Sequence, residues 1–124
     1  MEAEPKQIDF YGTHDGKAPF EQWLNKLRDR RARARIDARL ARVRLGNLGE
    51  TRDVGEGVHE LKIDYGPGYR LYFGNAATSL VLLLCGGDKS TQEADIKRAK
   101  EYWSDYKLRA EARGTEERGE RWAY

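Results

Sequence analysis

The segment from Leu61 to Phe73 constrains the fold more than any other part of the chain. Apolar and polar residues alternate on both sides of the run Gly66-Pro67-Gly68, which is the pattern of two antiparallel strands joined by a tight turn. Because successive side chains of a strand point to opposite faces, this alternation places Lys62 and Arg70 on one face of adjacent strands. The sequence therefore predicts a β-hairpin that carries two neighbouring cations.

The rest of the chain alternates between strand and helix patterns. The predicted elements are a short strand at Gln7 to Tyr11, a helix opened by Pro19, a second or continued helix through Ile36, Leu40 and Val43, a central strand at Ser79 to Cys85, and a last helix beginning at Ser90. The start of the last helix rests on a capping-box pattern, in which Ser90 is followed three residues later by Glu93.

Length and composition predict one domain with a tail. A chain of 124 residues is long enough to bury one modest core. Beyond Leu108 the sequence alternates glutamate, arginine, alanine and glycine, which is too polar to bury much surface. We therefore predict a domain at residues 1–108 and a polar, flexible tail at 109–124. Trp122 and Tyr124 either dock on the domain or remain in solvent, and solvent is the favoured alternative.

Positive charge is concentrated in one predicted helix. The formal net charge is only +2, but eight arginines and two acids lie between Arg28 and Arg44. Such a run is commonly a solvated helix face, and its unbalanced charge also suits a phosphate backbone or an acidic protein. Both interpretations stay open at this point. Within this run we select Arg35, Arg39 and Arg42 as candidate RNA-binding residues.

Several chemistries have little support in the sequence. Cys85 is the single cysteine, and the two histidines, His14 and His59, are far from it in sequence, so neither an internal disulfide nor a zinc site of the usual spacing is expected. The chain has no nucleotide-binding loop and no apolar segment long enough for a signal or a membrane span. We predict a cytoplasmic protein with no membrane association, no metal and no other cofactor.

The predicted hairpin can instead bind and cleave RNA. Arg70 shares its face with Lys62 and Tyr72, and Lys89 follows the central strand. A guanidinium donates two hydrogen bonds to a phosphate, a lysine adds charge, and a tyrosine ring can stack on a base. For both lysines, an ordinary surface position remains an equal alternative. His59 is the one imidazole near this sheet, and strand alternation places it on the other face.

These motifs resemble the RelE/ParE toxin superfamily, and more narrowly the phage Gp49-like or HigB-type addiction-module killer proteins. The resemblance runs from Phe10 to Tyr106. The segments that carry it are Pro19-Phe20, Trp23-Leu24, Glu60-Leu61-Lys62-Ile63, Gly68-Tyr69-Arg70-Leu71-Tyr72-Phe73, Leu82-Leu83-Leu84-Cys85-Gly86-Gly87-Asp88-Lys89, Asp95-Ile96 and Ala99.

The resemblance implies both a fold and an activity. The implied fold is α+β, with two N-terminal helices packed on a small twisted antiparallel sheet and followed by a C-terminal helix. The implied activity is that of a type II toxin, a ribosome-dependent mRNA endonuclease that inhibits translation. Its implied partners are mRNA, the ribosome and a cognate antitoxin with a helix-turn-helix DNA-binding domain, through which alone it would contact operator DNA.

Roles for individual residues also follow from the resemblance. Arg70 matches the strand arginine that contacts the scissile phosphate. Lys62 approximately matches a basic residue on the preceding strand, and Lys89 approximately matches the basic residue after the central strand. One departure concerns proton transfer, because RelE toxins carry a catalytic tyrosine where this chain has Ser90 to Asp95. The alternative function is a ParE-like inhibitor that binds DNA gyrase or another protein without catalysis, with the arginine-rich helix as its contact surface.

Overall fold

The computed structural model describes the backbone of residues 4–122 and the side chains of residues 4–113. In chain order the elements are β1 (Gln7–Phe10), α1 (Pro19–Lys26), α2 (Arg30–Arg44), β2 (Thr51–Gly55), β3 (Val58–Ile63), β4 (Tyr69–Ala77), β5 (Leu80–Asp88), a 3-10 turn (Lys89–Thr91) and α3 (Gln92–Trp122). None of the helices in this part of the chain combines the length and the hydrophobicity that crossing a membrane requires.

The strands form one mixed sheet in the order β1-β5-β4-β3-β2. Strands β2 to β5 follow one another as an antiparallel meander, whereas β1 pairs with β5 in parallel. A parallel pair needs a long crossover connection. Here α1, α2 and the other three strands all lie between the two paired segments.

The predicted arrangement of two N-terminal helices on a small antiparallel sheet is wrong, although the chain is α+β overall. The sheet has five strands and is mixed, and a strand precedes the two short helices. Alternation within a strand shows which face is apolar but not which strand lies beside it, so the β1 pairing was not visible in the pattern. The sequence pattern did not indicate strand β2, because Val54 is its one apolar residue besides glycine and a single apolar residue shows no alternation.

Each face of the sheet has its own hydrophobic core. Helices α1 and α2 cover one face, where Phe20, Ile36 and Leu40 pack on apolar side chains of β3, β4 and β5. Helix α3 covers the other face with Ala99 and Trp103. Both faces of β5 are buried, and its sequence is almost continuously apolar from Leu80 to Cys85. This confirms the central strand predicted at Ser79 to Cys85, which begins at Leu80 in the structure.

The predicted hairpin is confirmed, and its register is the expected one. Lys62 on β3 lies directly opposite Arg70 on β4. In the turn, the backbone N–H of Gly68 donates to the carbonyl oxygen of Tyr65 at 3.0 Å. Gly66 and Gly68 have φ values of 55° and 78°, a left-handed conformation that residues with a Cβ adopt at a cost.

Helix α3 begins two residues later than predicted. Asp88, rather than Ser90, caps the 3-10 turn, and its carboxylate accepts a hydrogen bond from the backbone N–H of Ser90 at 2.8 Å. The helix backbone continues to Trp122, so the predicted domain boundary at residue 108 falls inside a helix and stays a prediction. The expectations for Trp122 and Tyr124 concern side chains that lie outside the described residues.

Gly74 on β4 gives a test of how tightly α3 packs. A Cβ at this position would lie 2.7 Å from Cδ2 of the buried Trp103 ring. We expect Gly74→Ala to lower the free energy of unfolding by ~1–3 kcal/mol, because the indole and its helix must shift. Chemical denaturation measures the change. Asn75→Ala, at an exposed neighbouring position, is the control, and equal stability of the two variants would contradict this packing.

Candidate phosphate-binding site

A groove opens beside Thr51, at the N-terminal end of the edge strand β2. The pairing of β2 with β3 stops at Thr51 and Leu61, so the last residues of β3 extend beyond the edge strand. The cavity at this place has a volume of about 790 Å³. It is lined by Arg35, Ala38, Arg39, Arg42, Glu50, Thr51, Arg52, Glu60, Lys62, Ile63, Asp64, Arg70 and Gln92.

The lining of this groove is strongly cationic. Six of its residues are arginine or lysine, and three are aspartate or glutamate, which leaves a formal charge of +3. A concave surface of one sign concentrates the field and attracts ions of opposite sign. This lining therefore favours anionic ligands electrostatically.

Arg70 is the buried cation of the groove. Its side chain donates from Nη1 to the carbonyl oxygen of Gly68 at 2.7 Å, and its Nε lies 3.8 Å from Oε2 of Glu60. The residue is 7% exposed, because α3 covers this face of the sheet. Within the described part of the chain, the Nε–H group has no hydrogen-bond acceptor. The guanidinium of Arg70 is thus held in place by Gly68 and Glu60 at the wall of the groove.

Lys62 supplies a second cation beside Arg70, but in a different environment. Its side chain is 54% exposed, and its Nζ lies 3.9 Å from Oδ1 of the exposed Asp64. Such an ion pair in solvent holds the lysine weakly. The ammonium group can therefore leave Asp64 and move within the groove that Arg70 also lines.

The arginines of α2 reach the same groove from the other side of the sheet. The guanidinium carbon of Arg35 lies 4.6 Å from the ring centroid of Tyr65. Arg39 donates from Nη2 to the carbonyl oxygens of Leu48 and Glu50, both at 3.2 Å. The buried Nε of Arg39 has no acceptor among residues 4–113, and Arg42 also lines the cavity. The two basic segments predicted separately thus meet in one place.

Glu60 is the central residue that sequence reasoning missed. It is 5% exposed, and its Oε2 accepts hydrogen bonds from the hydroxyl of Tyr72 at 3.0 Å and from Nε2 of Gln92 at 2.9 Å. Arg52 lies 3.2 Å from Oε1. The hairpin register, which pairs Glu60 with Tyr72, was the signal that could have identified this contact.

The surroundings of Glu60 keep it ionised. Burial raises the pKa of this carboxyl, but the hydrogen bonds from Gln92, Tyr72 and Arg52 outweigh burial and hold the pKa below its usual value of 4.5. Near neutral pH a carboxylate therefore faces the guanidinium of Arg70. It restrains that guanidinium while leaving the Nε–H group without a hydrogen-bond acceptor.

Three other candidates lie outside the groove. The ring of Tyr72 is fully buried, so in this structure it orients Glu60 and is not available for a base. Lys89 is exposed on the 3-10 turn and is not among the residues that line the cavity. His59 stacks on Phe73 at 5.4 Å, on the face expected for it. Within the described residues, no group of three His, Cys, Asp or Glu side chains is placed to hold a metal ion.

The groove and the mixed sheet define a small α+β protein with a cationic cleft at a sheet edge. Over 81 residues the chain is 54% identical to a protein of Haemophilus influenzae described as an uncharacterized protein, a match that covers 65% of this chain and 82% of that protein. The chain belongs to the same family as this protein. No family model matches the chain, and no solved structure matches it.

Removal of the Tyr72 hydroxyl tests the buried contact with Glu60. We expect Tyr72→Phe to cost ~1.5–3 kcal/mol of stability at neutral pH, because a buried carboxylate loses a donor. Denaturant unfolding measures this loss. The control is Tyr106→Phe, since Tyr106 stacks on Trp103 and its hydroxyl has no partner among the described residues. A Tyr72→Phe variant as stable as the control would refute the contact.

The pKa of Glu60 leads to a prediction about pH. Because the folded-state pKa is lower than the usual 4.5, Glu60 contributes stability that is present above pH 4.5 and lost as the pH falls through the folded-state value. We expect the stability of Glu60→Gln to fall less steeply below pH 4.5 than the stability of the wild-type protein. Thermal unfolding between pH 7 and pH 3 measures the slopes. Glu93→Gln, at an exposed position, should follow the wild-type slope.

Proposed function

We propose that this protein is a toxin of a type II toxin-antitoxin pair that cleaves mRNA on the ribosome. The observation that carries the proposal is Arg70, a buried guanidinium that Glu60 and Gly68 hold in place and that lines a groove with five further basic residues. Phosphate oxygens in the groove would meet this guanidinium together with the neighbouring cations.

The chemistry of RNA cleavage matches these groups. The 2′-hydroxyl of the ribose loses its proton to water and its oxygen attacks the neighbouring phosphorus. The bond from phosphorus to the 5′-oxygen breaks, a 2′,3′-cyclic phosphate forms, and the 5′-oxygen takes up a proton from water. Negative charge grows on the phosphate oxygens during this step. Arg70 would stabilise that charge from a fixed position and Lys62 from a mobile one, which is the electrostatic contribution expected of such groups.

Glu60 would act on this reaction through Arg70. It lies 3.8 Å from the Arg70 Nε and is itself held by Tyr72 and Gln92, so the guanidinium has few alternative orientations. Preorganised charge is more effective in catalysis than charge that must reorient during the reaction. Arg35, Arg39 and Arg42 would bind phosphates farther along the RNA, without reading bases.

The proposed partners follow from the resemblance to RelE/ParE toxins of the Gp49-like or HigB type. A cognate antitoxin would neutralise the protein, and an antitoxin with a helix-turn-helix domain would connect the pair to operator DNA. The net positive groove supports this proposal, because an acidic segment of an antitoxin would occupy the groove in place of RNA. The protein would act in the cytoplasm, where its mRNA substrate is translated.

Mapping of RNA ends in cells tests the proposal. We expect induction of the chain without its partner to create new 5′ ends in translated mRNA. Arg70→Lys keeps the charge but lacks the fork geometry, and Lys62→Ala removes the second cation. Each should lower cleavage at least about tenfold, the effect of losing one charge-assisted interaction. Lys97→Ala, which removes an exposed lysine of α3 outside the groove, should cleave like the wild type.

The outcomes separate this function from its rival. Intact mRNA together with DNA damage would refute cleavage and favour a gyrase inhibitor. Equal cleavage by the Arg70→Lys, Lys62→Ala and Lys97→Ala proteins, each shown to be folded by circular dichroism, would show that the groove is not the active site.

A further inference from the structure

Strand β1 leaves one edge of the sheet open. The sheet ends at β1, and among the described residues no strand pairs with its outer side. In a parallel ladder, alternate residues bond to the neighbouring strand. The backbone N–H of Tyr11 donates to the carbonyl oxygen of Leu83 on β5 at 2.9 Å, so the odd-numbered residues of β1 face β5. Ile8 and Phe10 therefore direct their N–H and C=O groups outward, and these groups form the outer edge of β1.

Apolar side chains lie beside both ends of this edge. Phe10 is 36% exposed and stacks on Phe20 of α1, with 5.8 Å between the ring centroids. At the start of the strand, the backbone N–H of Lys6 donates to the carbonyl oxygen of Arg44 at 2.9 Å. Leu45, the next residue of the chain, is 70% exposed. A strand added at this edge would therefore find apolar surface next to its backbone.

The other edge of the sheet is protected against strand addition, and β1 is not. Strand β2 has an irregularity in its pairing between Asp53 and Gly55, and the side chain of Arg52 is 60% exposed. Bulges and charged side chains are common means by which proteins block an edge strand. The pairing of β1 with β5 is regular, and Asp9 is the one charged residue of β1.

That single charge disfavours a second copy of this chain as the occupant of the edge. An antiparallel pair that uses all the outward backbone groups places Ile8 of one copy opposite Phe10 of the other. Asp9 would then lie directly opposite Asp9 of the second copy. Like charges directly opposite one another destabilise a pair of strands. The complementary occupant is therefore a different chain, with a basic residue at this position.

We propose that the outer edge of β1 binds an extended, basic segment of a partner protein, which adds a sixth strand to the sheet. A lysine or arginine of the segment lies opposite Asp9, and apolar residues on either side of it lie opposite Ile8 and Phe10. Asp9 is exposed and forms no ion pair with residues 4–113. Main-chain hydrogen bonds supply affinity in strand addition, and side-chain pairs supply specificity.

A segment bound at this edge leaves the cationic groove open. None of the residues that line the groove lies on β1. Strands β5 and β4 separate β1 from β3, which is a distance of ~14 Å at the usual strand spacing. The partner would therefore hold the protein without displacing an anion from the groove, and strand addition does not require the nuclease activity proposed above.

Amide hydrogen exchange of the full chain, followed by nuclear magnetic resonance, tests the edge. The probe is the peptide acetyl-Thr-Val-Lys-Val-Thr-amide. In the free protein, we expect the amides of Ile8 and Phe10 to exchange faster than the amide of Asp9, which faces β5. At a peptide concentration about four times its Kd, exchange at Ile8 and Phe10 should slow about fivefold, while exchange at Asp9 stays the same.

Two results of this experiment would overturn strand addition. One is slow exchange at Ile8 and Phe10 in the free protein, which would show that the edge is already covered; if the free protein is also a dimer in analytical ultracentrifugation, the edge belongs to a second copy. The other is equal binding of a control peptide with N-methyl groups on both valine nitrogens, because that peptide lacks the donors that a strand must supply.

Reversal of the charge pair tests the chemistry of the partner. A peptide with glutamate in place of lysine should bind the wild type about fivefold more weakly. Asp9→Lys should reverse this preference. Asp37→Lys changes the net charge equally at an exposed position of α2 and should keep the wild-type preference. Equal binding of both peptides to folded wild-type and Asp9→Lys proteins would refute a basic partner. Arg70→Lys should bind the lysine peptide normally, whatever its effect on RNA.

Discussion

The buried carboxylate of Glu60 is the interaction on which the arrangement of the site depends. It joins four elements, since it lies on β3 and contacts Arg52 of β2, Tyr72 and Arg70 of β4, and Gln92 of α3. A buried charge is tolerated only where such partners surround it. Because the partners are spread over the sheet and the helix, the carboxylate helps to define where α3 begins relative to the hairpin and how the Arg70 guanidinium is oriented.

Unequal strand lengths create both the groove and a second, smaller cleft beside the first turn of α3. Strand β2 stops beside Leu61, and β1 covers β5 only to Leu83, so the longer central strands extend beyond their neighbours at both edges. Helices on the two faces then close each gap from the sides. Charged side chains at an exposed sheet edge also prevent pairing with the edge of another sheet. The same charges that attract a ligand therefore also protect this edge from such pairing.

Different parts of this architecture were visible in the sequence to different degrees. Alternation and a glycine-proline turn were sufficient for the hairpin and for the pairing of Lys62 with Arg70, because these contacts are local. The parallel pairing of β1 was not visible, since it joins segments that are distant in sequence. Burial of Arg70 and Tyr72 was also missed, because an alternating strand does not reveal that a helix covers its polar face. Glu60 was overlooked for the same reason.

The sequence by itself determined the local conformations, namely the tight turn, the apolar central strand and the concentration of arginine in α2. Backbone preferences and side-chain periodicity are properties of neighbouring residues, and they can be read without a partner. Only the tertiary structure decided that α2 and the hairpin line one groove, that Lys89 lies outside it and that a second cleft flanks α3. Those relations depend on packing between distant segments, and packing is decided by the shape and burial of the whole chain.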